Sequence, residues 1–114
     1  MRILLTAFCL AVATAPALAA VDARTQEGPQ RKFFCLAYSY IDTWNDWKAG
    51  RIDKESYDRQ RIQLTWRIQN KGDNHNYAPD FRKLDRAITA IEASRPSPQD
   101  ISETADSCRA FLRL

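Results

Sequence analysis

This sequence predicts an all-α fold, a small four-helix domain with one disulfide between its first and last helices. Three observations lead there. Between residues 33 and 112 the apolar residues fall into four segments with helical spacing. Gly, Pro and Asn-Asp punctuation separates those segments. The chain also opens with an export-type leader and keeps two cysteines beyond it, one in the first segment and one in the last.

Residues 1–19 have the form of a signal peptide. Arg2 precedes an apolar run from Ile3 to Val12, and Ala17-Leu18-Ala19 is the small-x-small pattern accepted at a cleavage site. The run is broken by Thr6, Thr14 and Pro16 and is shorter than the roughly 20 residues of a spanning helix, so no stable membrane insertion is expected after cleavage. Cys9 follows Phe8 inside the run rather than a small residue, which does not suit a lipid-modified cysteine, and it leaves with the leader. The expected location is periplasmic or secreted.

Residues 20–31 are polar, contain Gly28 and Pro29 and show no apolar period, so they read as a flexible N-terminal arm ahead of a domain spanning residues 32–114. A domain this small buries only ~60–68% of its unfolded surface, and a covalent staple adds to a thin core. In an oxidising compartment Cys35 and Cys108 have a single intramolecular pairing open to them. For a loop closed from residue 35 to residue 108, the chain-entropy model gives about 4.5 kcal/mol.

The first helix is expected over 33–48. It holds Phe33, Phe34, Leu36, Ala37, Tyr38, Tyr40, Ile41, Trp44 and Trp47 without an internal Gly or Pro, and Gly50 suits the left-handed end position. Its apolar arc is roughly twice the ~100° stripe of a surface helix, which predicts a central helix. Cys35 falls outside that arc. Either the last helix wraps that flank or the regular helix starts just after Cys35.

Asp53 suits an N-cap, with Ile52 and Tyr57 as a hydrophobic staple, for a second helix reaching about Asn70. Tyr57, Leu64 and Ile68 share its inner face, Ile62 and Trp66 flank that face, and Glu55 and Arg59 support the outer side. Lys71–Asn76 has no apolar residue and reads as an exposed loop. Pro79 suits the first turn of a third helix with the stripe Phe81, Leu84, Ile88, Ile91. Pro96 ends it, and Ser97-Pro98-Gln99-Asp100 reads as the start of a fourth helix carrying Ile101, Ala105, Cys108 and Leu112 on one face.

Composition excludes several chemistries. One histidine and no free thiol beside the disulfide rule out a Cys–His nucleophile pair and leave too few ligands for zinc. Gly28, Gly50 and Gly72 are too far apart to form a phosphate loop, and no serine sits in a nucleophile elbow. Asp42 and Asp46, at i,i+4 on a polar helix side, read as a solvated face rather than an acid–base pair. Arg59, Arg61, Arg67 and Lys71 interleave with Trp66, but Glu55 and Asp58 share the helix and the net charge is only +3, so no nucleic-acid partner is expected. No enzyme activity, metal or cofactor is expected. Two places remain as candidates for touching another protein. The first is an aromatic edge of helix 1 formed by Tyr40, Trp44 and Trp47, with Trp44 or Trp47 rather than Trp66 as the anchor. The second is the loop residues Asp73, Asn74 and His75, where His75 is either a partner contact, a pH-sensitive group or a solvated loop residue.

The segment Cys35-Leu36-Ala37-Tyr38-Ser39-Tyr40, with Ala105-Asp106-Ser107-Cys108-Arg109-Ala110-Phe111-Leu112, resembles the cysteine framework of the type VI secretion amidase immunity proteins. That resemblance implies an all-helical, disulfide-stapled periplasmic protein. Such proteins neutralise a secreted peptidoglycan-cutting toxin by blocking its cleft with a protruding loop and helix ends. The likeness covers the two ends of the domain and carries over no toxin-contacting residue. The framework also resembles the HdeA-type acid-stress chaperones, from which this chain departs in its load of Trp44, Trp47 and Trp66. The expected function is therefore non-enzymatic protein binding, with an immunity protein as the specific form. A periplasmic chaperone or stress protein is the first alternative, and a small peptidoglycan hydrolase the second.

Overall fold

A computed structural model describes residues 28–114, so the leader expected over 1–19 and the arm as far as residue 27 lie outside the described residues. Four helices follow one another: α1 (Gly28–Lys48), α2 (Lys54–Ile68), α3 (Ala78–Ser94) and α4 (Pro98–Leu112). Among the described residues there is no strand, and no helix is long and apolar enough to cross a membrane.

Helix α1 begins earlier than its apolar pattern does, and residues 28–31 belong to it rather than to an arm. Gly28 sits at φ 58°, and Pro29 supplies a preset helical φ where its missing N–H is not needed. Extending a packed helix by one polar turn is cheap because nucleation has already been met elsewhere. The turn is also held from outside, since the Arg31 guanidinium lies 4.4 Å from the centroid of the Phe111 ring on α4.

The remaining boundaries follow local chemistry. Asp53 caps α2 by accepting from the Ser56 amide at 2.8 Å. Ser97 caps α4 by accepting from the Asp100 amide at 3.0 Å, with Pro98 in the first turn. At α3 the cap is displaced by one residue: Asn76 Oδ1 accepts from the Ala78 amide at 3.1 Å. Arg95 ends α3 in the left-handed conformation, where Pro96 prevents the helix from continuing.

Helix α1 is central, and α2, α3 and α4 each pack on it. Cys35, Leu36, Ala37, Tyr38 and Ser39 are buried in succession, so its middle is covered around the whole circumference. This resolves the position of Cys35. Helix α4 wraps the flank outside the aromatic arc, and Cys35 and Cys108 are bonded there with Cα atoms 5.5 Å apart. Ile101, Ala105, Cys108 and Leu112 are all buried on α4, and Leu84, Ala87 and Ile91 on α3.

Helix α2 departs from expectation on its flank. Only Leu64 and Ile68 are buried on it, while Ile62 is 45% and Trp66 61% exposed. A helix resting mainly on one neighbour covers one narrow stripe, and residues a third of a turn or more away stay in solvent. Arg67 ties α2 to the end of α4, donating to the carbonyls of Leu112 at 2.7 Å and Arg113 at 2.5 Å. Those are carbonyls a helix end otherwise leaves unpaired.

Candidate functional site

Beyond Thr43 the cover on α1 thins, and its aromatic edge reaches the surface: Trp44 is 46% exposed and Trp47 half-buried. The helix closes there with Gly50 at φ 79°, its amide on the Trp47 carbonyl at 3.0 Å, and with an Arg51–Asp46 ion pair at 2.8 Å. This turn sends α2 back along α1 and brings Tyr57 onto Trp47. The two rings stack at 4.6 Å between centroids with planes 19° apart. Trp44 meets both edge-on, at 5.4 Å from Trp47 and 6.1 Å from Tyr57.

Cations ring this cluster. Lys48 lies 5.3 Å from the Trp44 centroid and 5.4 Å from that of Trp47. Lys54 stands over Trp47 and Tyr57, and Arg61 is 5.7 Å from Tyr57. Lys54 and Arg61 also pair with Asp58, at 2.8 and 3.7 Å. Beside the rings an open groove of about 380 Å³ runs between α1, α2 and α3, lined by Tyr40, Ile41, Trp44, Tyr57, Ile88 and Glu92 among others. Tyr40 lies in the groove wall. Thr65 Oγ1 donates to the Arg61 carbonyl, so the Tyr40 hydroxyl is the donor in its 2.7 Å bond to Thr65. Burial pushes the Tyr40 phenol above its ordinary value.

The structure therefore brings together Tyr40, Trp44 and Trp47 and adds Tyr57, which the sequence placed on the inner face of α2. The available signal was its position as partner to Ile52 across the Asp53 cap, which puts it at the turn where α1 ends.

Asp73, Asn74 and His75 lie elsewhere, past the opposite end of α2. Asp73 and Asn74 are exposed. His75 is folded inward: its Nε2 is 3.0 Å from Asp80 Oδ2, and its ring meets Tyr77 edge-on at 4.5 Å. The Tyr77 hydroxyl accepts from the Lys71 amide at 2.7 Å and donates to the Gly72 carbonyl at 2.8 Å, closing the loop on itself. The His75 hydrogen bond holds the Asp80 carboxyl below the usual carboxylate range.

The acids of α1 are not a uniformly solvated face. Asp46 is paired with Arg51, while Asp42 is half-buried in a polar groove of about 320 Å³ shared with Ser39, Thr43, Gln60, Asp106 and Arg109. Burial first, then the Asp46 and Asp106 carboxylates, pushes Asp42 up to about 6. Among the described residues no group of three or more His, Cys, Asp or Glu is placed to hold a metal ion. Comparison with protein-family models, curated proteins and solved structures returns no match for this chain.

Proposed function

We propose that this chain is an exported, non-enzymatic protein-binding domain whose partner docks on the Trp44–Trp47–Tyr57 face. One observation carries the reading: three large rings, partly exposed, are already fixed against one another at the α1–α2 turn. Rings held in place before binding lose little conformational entropy when a partner covers them, and Trp and Tyr are the usual interface anchors. The Lys48, Lys54 and Arg61 rim favours an acidic partner surface and steers its approach.

The specific form we favour is an immunity protein that neutralises a secreted peptidoglycan-cutting toxin. A helix-turn-helix end bearing aromatic anchors is a shape that enters an enzyme cleft, and the disulfide suits a domain that must stay folded outside the cytoplasm.

Photocrosslinking from benzoylphenylalanine at position 44, 47 or 74, in producing cells in contact with competing cells, tests this. Discrete adducts from 44 and 47 but not 74 support the aromatic face. An adduct only from 74 moves docking to the loop, and none from any position overturns the protein-binding reading.

A further inference from the structure

A second aromatic surface lies at the other end of α2 and plays no part in the proposal above. Trp66 follows Tyr57 by nine residues, which at 100° per residue puts the two on opposite sides of the helix. Phe111, in the last turn of α4, is 42% exposed. Between Trp66 and Phe111 runs an open groove of about 410 Å³, also lined by Lys32, Arg67, Asn70 and Arg113. Ile62, one turn before Trp66, extends the apolar surface outward.

Every charged residue in this lining is a cation. Arg67 is already engaged by the carbonyls of Leu112 and Arg113. Lys32 and Arg113 make no ion pair among the described residues, so their charge faces solvent unbalanced. Arg31 adds another cation over the Phe111 ring, with its Nε buried there.

We propose that this groove is an interaction surface for an acidic amphipathic segment of a partner protein. An apolar side chain seats between Trp66 and Phe111, and carboxylates on either side of it meet Lys32 and Arg113. Guanidinium groups pair carboxylates with directional, charge-assisted hydrogen bonds. A recess between two rings suits a single inserted side chain, whereas a lipid surface is met by an apolar face that projects into it.

The test is a two-dimensional amide NMR titration of the disulfide-bonded protein with three probes. These are an acidic peptide with one Leu-Trp pair flanked by glutamates, the same peptide with lysines for the glutamates, and phosphatidylglycerol–phosphatidylcholine vesicles. Saturable shifts of the Trp66 indole and Arg113 amide with the acidic peptide alone are expected. Trp66→Ser, or Lys32→Glu with Arg113→Glu, should weaken that binding about tenfold at unchanged melting temperature. An equal response to the lysine peptide overturns the proposal, as do vesicle binding without peptide binding, shifts confined to the Trp44 and Trp47 indoles, or no saturation up to about 1 mM.

Discussion

Trp47 and Tyr57 stack across the turn 49–53, joining the last turn of α1 to the first of α2. The contact braces the first turn of α2, whose start Asp53 caps, and it makes Tyr57 a member of the aromatic face rather than only a packing residue. Tyr57→Ala removes the stack and should lower stability by about 1–2 kcal/mol. Urea denaturation checks the stability. Iodide quenching of tryptophan emission, which should rise once Trp47 loses its cover, checks the contact.

Trp44 stands at the edge of the cluster, so its removal should be mild for the fold. Trp44→Ala is expected to cost under about 1 kcal/mol, against about 2–5 kcal/mol for Leu36→Ala in the fully buried middle of α1. Both values come from the same denaturation series, and a loss at Trp44 as large as that at Leu36 would mean the face is core.

Reduction of the Cys35–Cys108 bond releases a constraint spanning 73 residues. The expected loss is about 4.5 kcal/mol, because the unfolded chain regains the freedom the closed loop denied it. Unfolding midpoints with and without reductant measure it, and mass spectrometry of the unreduced domain should find Cys35 and Cys108 joined.

Asp42, at about 6, has a folded-state value above its unfolded one, so the native state holds the extra proton between roughly pH 4 and 6. Stability from this group therefore rises as pH falls through that window, and its ionised form is a cost above it. Solvent screening in the open groove reduces that cost to about 1 kcal/mol. Asp42→Asn should raise the melting temperature near pH 7.5, with the gain vanishing by about pH 4.

Asp80 behaves in the opposite sense. Its depressed value means that the His75–Asp80 contact stabilises above the unfolded carboxylate range and is lost as pH falls through the folded-state value. Asp80→Asn and Tyr77→Phe should each speed amide exchange across 71–76 and leave α1 and α4 protected. Replacing Asp73-Asn74-His75 with Gly-Ser-Gly should loosen the same loop at unchanged helical circular dichroism.

Local chemistry was legible along the chain because it acts over a few residues. Asp53, Ser97 and Pro98 mark helix starts, Pro96 marks an end, and the periods of α3 and α4 mark their inner faces, all without reference to the rest of the fold. The wide arc of α1 already required a helix surrounded by others, and two cysteines in an exported-type chain already implied a bond. What the sequence could not decide is how far each neighbour reaches over a shared surface. The first turn of α1 is held down by Arg31 over Phe111 on α4, a contact about 80 residues away along the chain. Trp66 and Ile62 stand in solvent because α2 rests mainly on α1 and no other helix covers its outer side, and Tyr57 joins the tryptophans because the turn at Gly50 folds α2 back upon them. Periodicity tells which side chains share a face of one helix. Only packing, which depends on where the other three helices come to rest, tells which faces stay open to a partner.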